Sequence, residues 1–235
     1  NTCIKQQFKS LNKYCNEHIK NNFEPLKRSY QFAGGKSKGR IFVSNKQGLQ
    51  RIWNKFRGVL CDGLYHDFDM VNAHPTILLF LCKKNNIPCY TLENYVNDRT
   101  NKINELCSDD NVSKSTAKLL FICSLNNFRQ IRHIGKGREK RNIKNSFYIS
   151  FDKQIKDIQK QLININPQKV TQLENLGISD NIEGKVTNIL LCELENEILQ
   201  KAIKYTTDNK IYNVSVPMFD GFMAIKNEKV ITSKY

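Results

Sequence analysis

Cysteine pairs at metal spacing, long apolar runs and a nucleotide phosphate loop are all missing from this sequence. Its eight cysteines (3, 15, 61, 82, 89, 107, 123, 192) form no C-x-x-C pair and no Cys/His cluster with zinc spacing. That argues against zinc, and for reduced thiols that behave as small hydrophobes in an intracellular protein. The longest apolar runs, Ile77 to Cys82 and Leu119 to Cys123, fall far short of the roughly 20 residues that span a bilayer, so no membrane partner is expected. No signal peptide precedes Asn1, which reads as not secreted, and the missing initiator Met reads as a fragment. Gly34-Gly35-Lys36-Ser37-Lys38-Gly39-Arg40 lacks the G-x-x-x-x-G-K-[ST] spacing and precedes a strand, so it reads as a basic loop touching a nucleic-acid backbone.

Negative charge is also scarce. The chain has 22 Asp and Glu against 37 Lys and Arg, a net charge of +15. Such an excess favours a polyanion, nucleic acid before an anionic membrane surface. Part of it follows from a composition rich in Lys, Asn and Ile. At 235 residues, 40% hydrophobic and 10% aromatic, the chain can bury an ordinary core and is not disordered.

What is there centres on Tyr65 to Phe80. Tyr65 to Met70 reads as a strand on which Asp67 and Asp69 share a face with Tyr65. Asn72 or His74 then caps an apolar helix with Pro75 in its first turn, stopped by Asn85-Asn86. An ionised Asp beside a core strand must be paired, hydrogen-bonded or metal-bound. Taken alone, D-x-D on a solvated edge strand is the commoner case, so a second carboxylate is needed. Val214 to Ile225 supplies it: two β-rich runs flank Asp220-Gly221, a strong hairpin signal that places Asp220 at the tip. Asp-Gly is equally common as plain turn chemistry.

Between these lie mostly helices. Ile4, Phe8, Leu11 and Cys15 have helical spacing, and Gln47 to Leu60 reads as one amphipathic helix with Leu49, Ile52, Trp53 and Phe56 inward. Helices follow over Leu92 to Cys107, from a Ser113 cap, and over 146 to 163. Asn164 to Glu183 reads as a polar connection. Val186 to Tyr205 reads as a helix with Leu191, Leu194, Ile198, Ala202 and Tyr205 inward and its glutamates solvated, Glu193 or Glu195 being outside candidates for a site. Lys114, Lys118, Ile122 and Asn126 form one stripe, where two cations a turn apart could grip a triphosphate. A surface helix with solvated lysines explains them equally. Arg129 to Lys144, with seven Lys or Arg including Arg132, Lys136 and Arg138, reads as a loop on a phosphate backbone.

The order strand Asp, lysine helix, hairpin Asp resembles motifs A, B and C of family A DNA polymerases and single-subunit phage RNA polymerases. The wording Asp67-Phe-Asp-Met-Val-Asn-Ala-His-Pro, with Gly39-Arg40 and Leu49-Gln50 ahead of it, is similar to the transposon–virophage polymerase branch. The resemblance runs from about residue 39 to 226. It implies a helix-rich α+β fold, with a palm-like antiparallel sheet and a helical fingers insertion. It implies template-directed addition of nucleotides to a primer, with Asp69 and Asp220 holding two Mg²⁺ or Mn²⁺ ions and Lys118 catalytic. Asp67 stands as an extra ligand or as a neighbour of the ligands. Lys114, Lys118, Asn72, His74 and Asn126 would contact the nucleoside triphosphate, and Arg40, Arg132, Lys136 and Arg138 the primed DNA template.

The implied segments are 1–60 (helical and basic, a thumb or template contact), 61–90 (palm, motif A), 91–185 (fingers, motif B) and 186–235 (palm, motif C). The sequence departs from the pattern at three points. His74 stands where DNA-polymerising members often carry Glu, Asn126 where an aromatic often stacks, and Phe-Asp-Gly replaces His-Asp-Glu. RNA polymerase or primase-like activity is therefore an alternative. Further alternatives are a two-metal nuclease and a non-catalytic basic nucleic-acid-binding domain. A helicase or primase domain outside the fragment is a possible companion, and host cytoplasm, viral factory or nucleus the expected location.

Overall fold

In a computed structural model, the strand read at Tyr65 is present and carries Asp67 and Asp69 in a three-stranded sheet. The structure describes residues 2–22, 24, 26–32, 39–44, 48–128 and 143–226. Among these the protein is helix-rich α+β with two small antiparallel sheets. The chain divides into two units: residues 1–71 with 193–235, and residues 72–192.

The first unit holds both sheets. Helix α1 (Thr2–Lys20) precedes a ribbon of β1 (Tyr30–Phe32) and β2 (Ile41–Val43). The helix expected over Gln47 to Leu60 is in fact two pieces, a 3₁₀ turn at Leu49–Arg51 and α2 (Asn54–Cys61). Ile52 and Trp53 between them are extended, with ψ 136° at each, so Ile52 is buried while Trp53 stays exposed.

The second sheet has the order β3-β5-β4, formed by β3 (Tyr65–Asp69), β4 (Asn213–Pro217) and β5 (Gly221–Ile225). Both faces are covered. Phe222 and Ala224 pack with Phe68, Met70 and Leu199 on one side; Met223 packs with Leu49, Ile52, Cys61 and Tyr65 on the other. Val214 and Val216 belong to opposite faces because the pairing with β5 is irregular between them.

The second unit is built from α3 (Ala73–Lys84), α4 (Tyr90–Asn97), α5 (Arg99–Asp110), α6 (Lys114–Leu125), α7 (Ser146–Ile165) and α8 (Pro167–Glu174), with the start of α9 (Ile182–Asp208). The single helix expected over Leu92 to Cys107 is broken at Asp98, whose φ of −131° and ψ of 38° are not helical. Helix α8 lies inside the stretch read as a polar connection; Pro167 opens it and Leu173 anchors it. The core is an aromatic cluster in which Tyr95 stacks on Phe121 at 4.3 Å and Phe151 meets both at 5.0 Å. Beside it the Ser124 hydroxyl donates to Asp152, and the Gln159 amide donates to the Ser124 and Leu125 carbonyls.

The cysteines of the described residues are unpaired: Cys61, Cys82 and Cys123 are buried. Burial pushes the Cys82 thiol up to about 12, which leaves it inert at neutral pH. No described helix is long and apolar enough to cross a membrane.

Candidate metal centre

Cross-strand pairing brings the two acidic elements together. Strand β3 pairs with β5 so that Asp67 faces Met223 and Asp69 faces Gly221, the residue directly after Asp220. The Met70 amide donates to the Asp220 carbonyl at 2.7 Å, which latches the hairpin tip to the end of β3. Asp69 and Asp220 thus lie near one another at one end of the sheet, with Asp67 two residues back on the same strand, all exposed.

Gly221 makes this approach possible. A Cβ there would lie 1.9 Å from the Phe68 carbonyl oxygen and 2.7 Å from Asp69 Oδ1. The glycine is needed for close backbone approach, because its φ is not in the left-handed region. The connection is the three residues Met218-Phe219-Asp220, with the Met218 amide donating to the Gly221 carbonyl at 2.8 Å. The hairpin is legible in the sequence, but Asp-Gly is not its turn.

The electrostatics follow. Desolvation first, then the charges of Asp67 and Asp220, push the Asp69 carboxyl above the ordinary carboxylate range, with Arg57 pulling the other way. Although Asp69 reaches solvent, its Oδ1 lies close enough to Gly221 that a Cβ there would come within 2.7 Å. Crowded carboxylates disfavour each other's ionisation, and a cation between them removes that penalty. The donors are all oxygens, a set suited to Mg²⁺ or Mn²⁺.

The hairpin tip is held from behind. Glu195, on α9, is 1% exposed and takes a two-pronged contact from Arg40, Nε at 2.5 Å and the second guanidinium nitrogen at 3.0 Å. The Arg40 guanidinium lies 5.3 Å from the centre of the Phe219 ring, which Phe42 meets at 5.1 Å. Two expectations are corrected here. Glu195 is buried rather than solvated, and Ile198 and Tyr205 are exposed rather than inward. The buried stripe of α9 is Leu191, Glu195, Leu199 and Thr206, spaced by one turn or two. A glutamate at i+4 between two leucines is the signal that could have found it. Arg57 and Gln50 carry no comparable signal.

The remaining candidates lie in the second unit. Lys114 is exposed and Lys118 half-buried, one turn apart on α6. Asn72 takes the position before α3 in the left-handed region at φ 54° with no side-chain bond to the helix, and His74 sits half-buried in its first turn. Asn126 caps α6 at its C-terminus and is engaged internally. Its amide donates to the Ile122 carbonyl, its side-chain oxygen accepts from Asn188, and its backbone carbonyl accepts from Asn181, each at 2.9 Å. Arg132, Lys136 and Arg138 lie outside the described residues.

Compared with known proteins, the chain is 25% identical over 188 residues to "Putative helicase V13" of Sputnik virophage. The similarity links the chain to a virophage protein. It covers 79% of this chain and 24% of that protein, so the chain spans about a quarter of the relative's length. No protein-family model matches, and no solved structure does.

The expected activity is corrected by this finding. The named relative is a putative helicase, which points away from template-directed DNA polymerisation. The physical reason is that the three motifs are short. A D-x-D strand, lysines a turn apart and an Asp-Gly hairpin serve any protein that meets phosphates and a hard cation.

Proposed function

We propose that this chain is a nucleic-acid-engaging module of a helicase-related virophage protein, contacting phosphates through basic side chains and through divalent cations at Asp69 and Asp220. The observation that carries the reading is the pairing that brings Asp69 and the Asp220 tip to one end of the sheet, with Asp69 destabilised as an anion by desolvation first and then by the charges of Asp67 and Asp220. A net charge of +15 supports the polyanionic partner. The printed name of the virophage relative supports the same partner class, since a helicase acts on nucleic acid. These residues show no G-x-x-x-x-G-K-[ST] sequence, so the proposed part is substrate contact rather than nucleotide hydrolysis. Asp69 and Asp220 would hold Mg²⁺ or Mn²⁺ with Asp67 beside them, and the ion would supply positive charge to attract phosphate. Lys114, Lys118, Arg132, Lys136 and Arg138 would neutralise further phosphates.

The test is Mn²⁺ titration, followed by the resonance of the free ion, beside binding of labelled single-stranded and duplex DNA with and without Mg²⁺. Mn²⁺ uptake abolished in Asp69→Asn and Asp220→Asn, together with DNA binding strengthened by Mg²⁺ only in the wild type, would establish the reading. Uptake unchanged in both variants would end it.

A further inference from the structure

We infer that Arg40 is a positioning residue for the Asp220 hairpin tip, held in place by the buried carboxylate of Glu195. The inference deepens the cation reading and rests on it for its functional consequence. Asp220 itself is exposed, and its side chain lies in a three-residue connection that no sheet pairing fixes. Something must hold the tip if its carboxylate is to meet Asp69 in a constant geometry.

Three contacts do so, all outside the acidic cluster. Phe219, directly before Asp220, is in contact with both the Arg40 guanidinium, 5.3 Å from its ring centre, and the Phe42 ring at 5.1 Å. Gln50, 7% exposed, donates to the Ile41 carbonyl at 3.0 Å and to the Pro217 carbonyl at 3.4 Å, and accepts from the Val43 amide at 2.9 Å. It therefore joins β2 to the last residue of β4. The Arg40–Glu195 fork fixes the position of the guanidinium beside the Phe219 ring. A buried glutamate is costly unless paired, and here the paired cation is the one within cation–π range of Phe219 at the tip. The chemistry needs arginine. A lysine ammonium could keep the charge but could not fork onto both Glu195 oxygens while reaching the Phe219 ring.

Two backbone amides read the tip independently of any ion: Met70, bonded to the Asp220 carbonyl, and Met218, bonded to the Gly221 carbonyl. The experiment compares hydrogen exchange and Mn²⁺ affinity in wild type, Arg40→Lys and Phe219→Leu. We expect both variants to stay folded, to keep Phe222 and Ala224 protected, and to lose about tenfold protection at Met70 and Met218. Mn²⁺ affinity should fall about tenfold with it, as expected when support behind a ligand is removed. Wild-type protection at both amides in Arg40→Lys would overturn the inference, as would reduced protection with Mn²⁺ affinity unchanged. Should Arg40→Lys fail to fold, Phe219→Leu decides alone by the same two readouts. If the wild type binds no Mn²⁺, the cation reading fails, and the amide protection still decides whether Arg40 fixes the tip.

Discussion

Single atoms decide how close the two acidic strands come. At Gly221 a methyl group would collide with the backbone of Phe68, which cannot swing aside as a side chain could. Gly221→Ala should therefore destabilise the protein by about 3 kcal/mol, the upper part of the overpacking range, and should also weaken Mn²⁺ binding. Denaturant unfolding of the variant checks the first effect. Asp69 gives the pH dependence. Its folded-state pKa is raised, so the native state holds this proton more tightly than the unfolded chain does. Its contribution is most favourable below the ordinary carboxylate value and is lost as pH rises through the raised one. In EDTA at neutral pH, Asp69→Asn should accordingly raise the melting temperature by a few degrees at most, and below the carboxylate range the gain should vanish. Mg²⁺ should stabilise the wild type and not the variant. A thermal melt series across pH, with and without Mg²⁺, reads all three outcomes.

At the level of elements, local chemistry is legible where one residue sets the conformation. Ser113 is readable as a cap, and its hydroxyl does accept from the Thr116 amide at 3.2 Å. Ser113→Ala should cost about 1 kcal/mol, measurable by denaturant unfolding. The Asp67/Asp69 strand and the hairpin that carries Asp220 are legible instead from their β-rich runs, although Asp-Gly is not the turn. Breaks are not. Nothing in the run from Gln47 to Leu60 announces the extended pair Ile52 and Trp53, because amphipathic spacing tolerates a change of axis. The inward face of α9 escapes its apolar pattern because that pattern excludes a charged residue from the buried stripe. Glu195 is buried where Arg40, 155 positions earlier, comes to meet it. Pairings at that separation leave no trace in local periodicity, so the clamp behind Asp220 becomes visible only in three dimensions.

For the whole molecule, the governing quantity is charge. With +15 spread over 235 residues, DNA binding should weaken steeply and linearly as log salt rises, for any DNA sequence. Duplex and single strands should differ in slope rather than in kind, since phosphate contacts carry no sequence information. The virophage relationship extends over most of this chain but a quarter of its relative, so the contribution of these residues can be separated from that of the longer protein by measuring the chain alone. Replacing Arg132, Lys136 and Arg138 together by Ala should lower the single-strand salt slope by about 2, near 0.7 for each phosphate no longer neutralised. Mn²⁺ uptake should stay at its wild-type value, because the proposed ion ligands are untouched. The pair of results discriminates sharply. An unchanged slope would remove the basic segment from the nucleic-acid surface, whereas a lower slope accompanied by abolished Mn²⁺ uptake would mean that the two functions share one folded element.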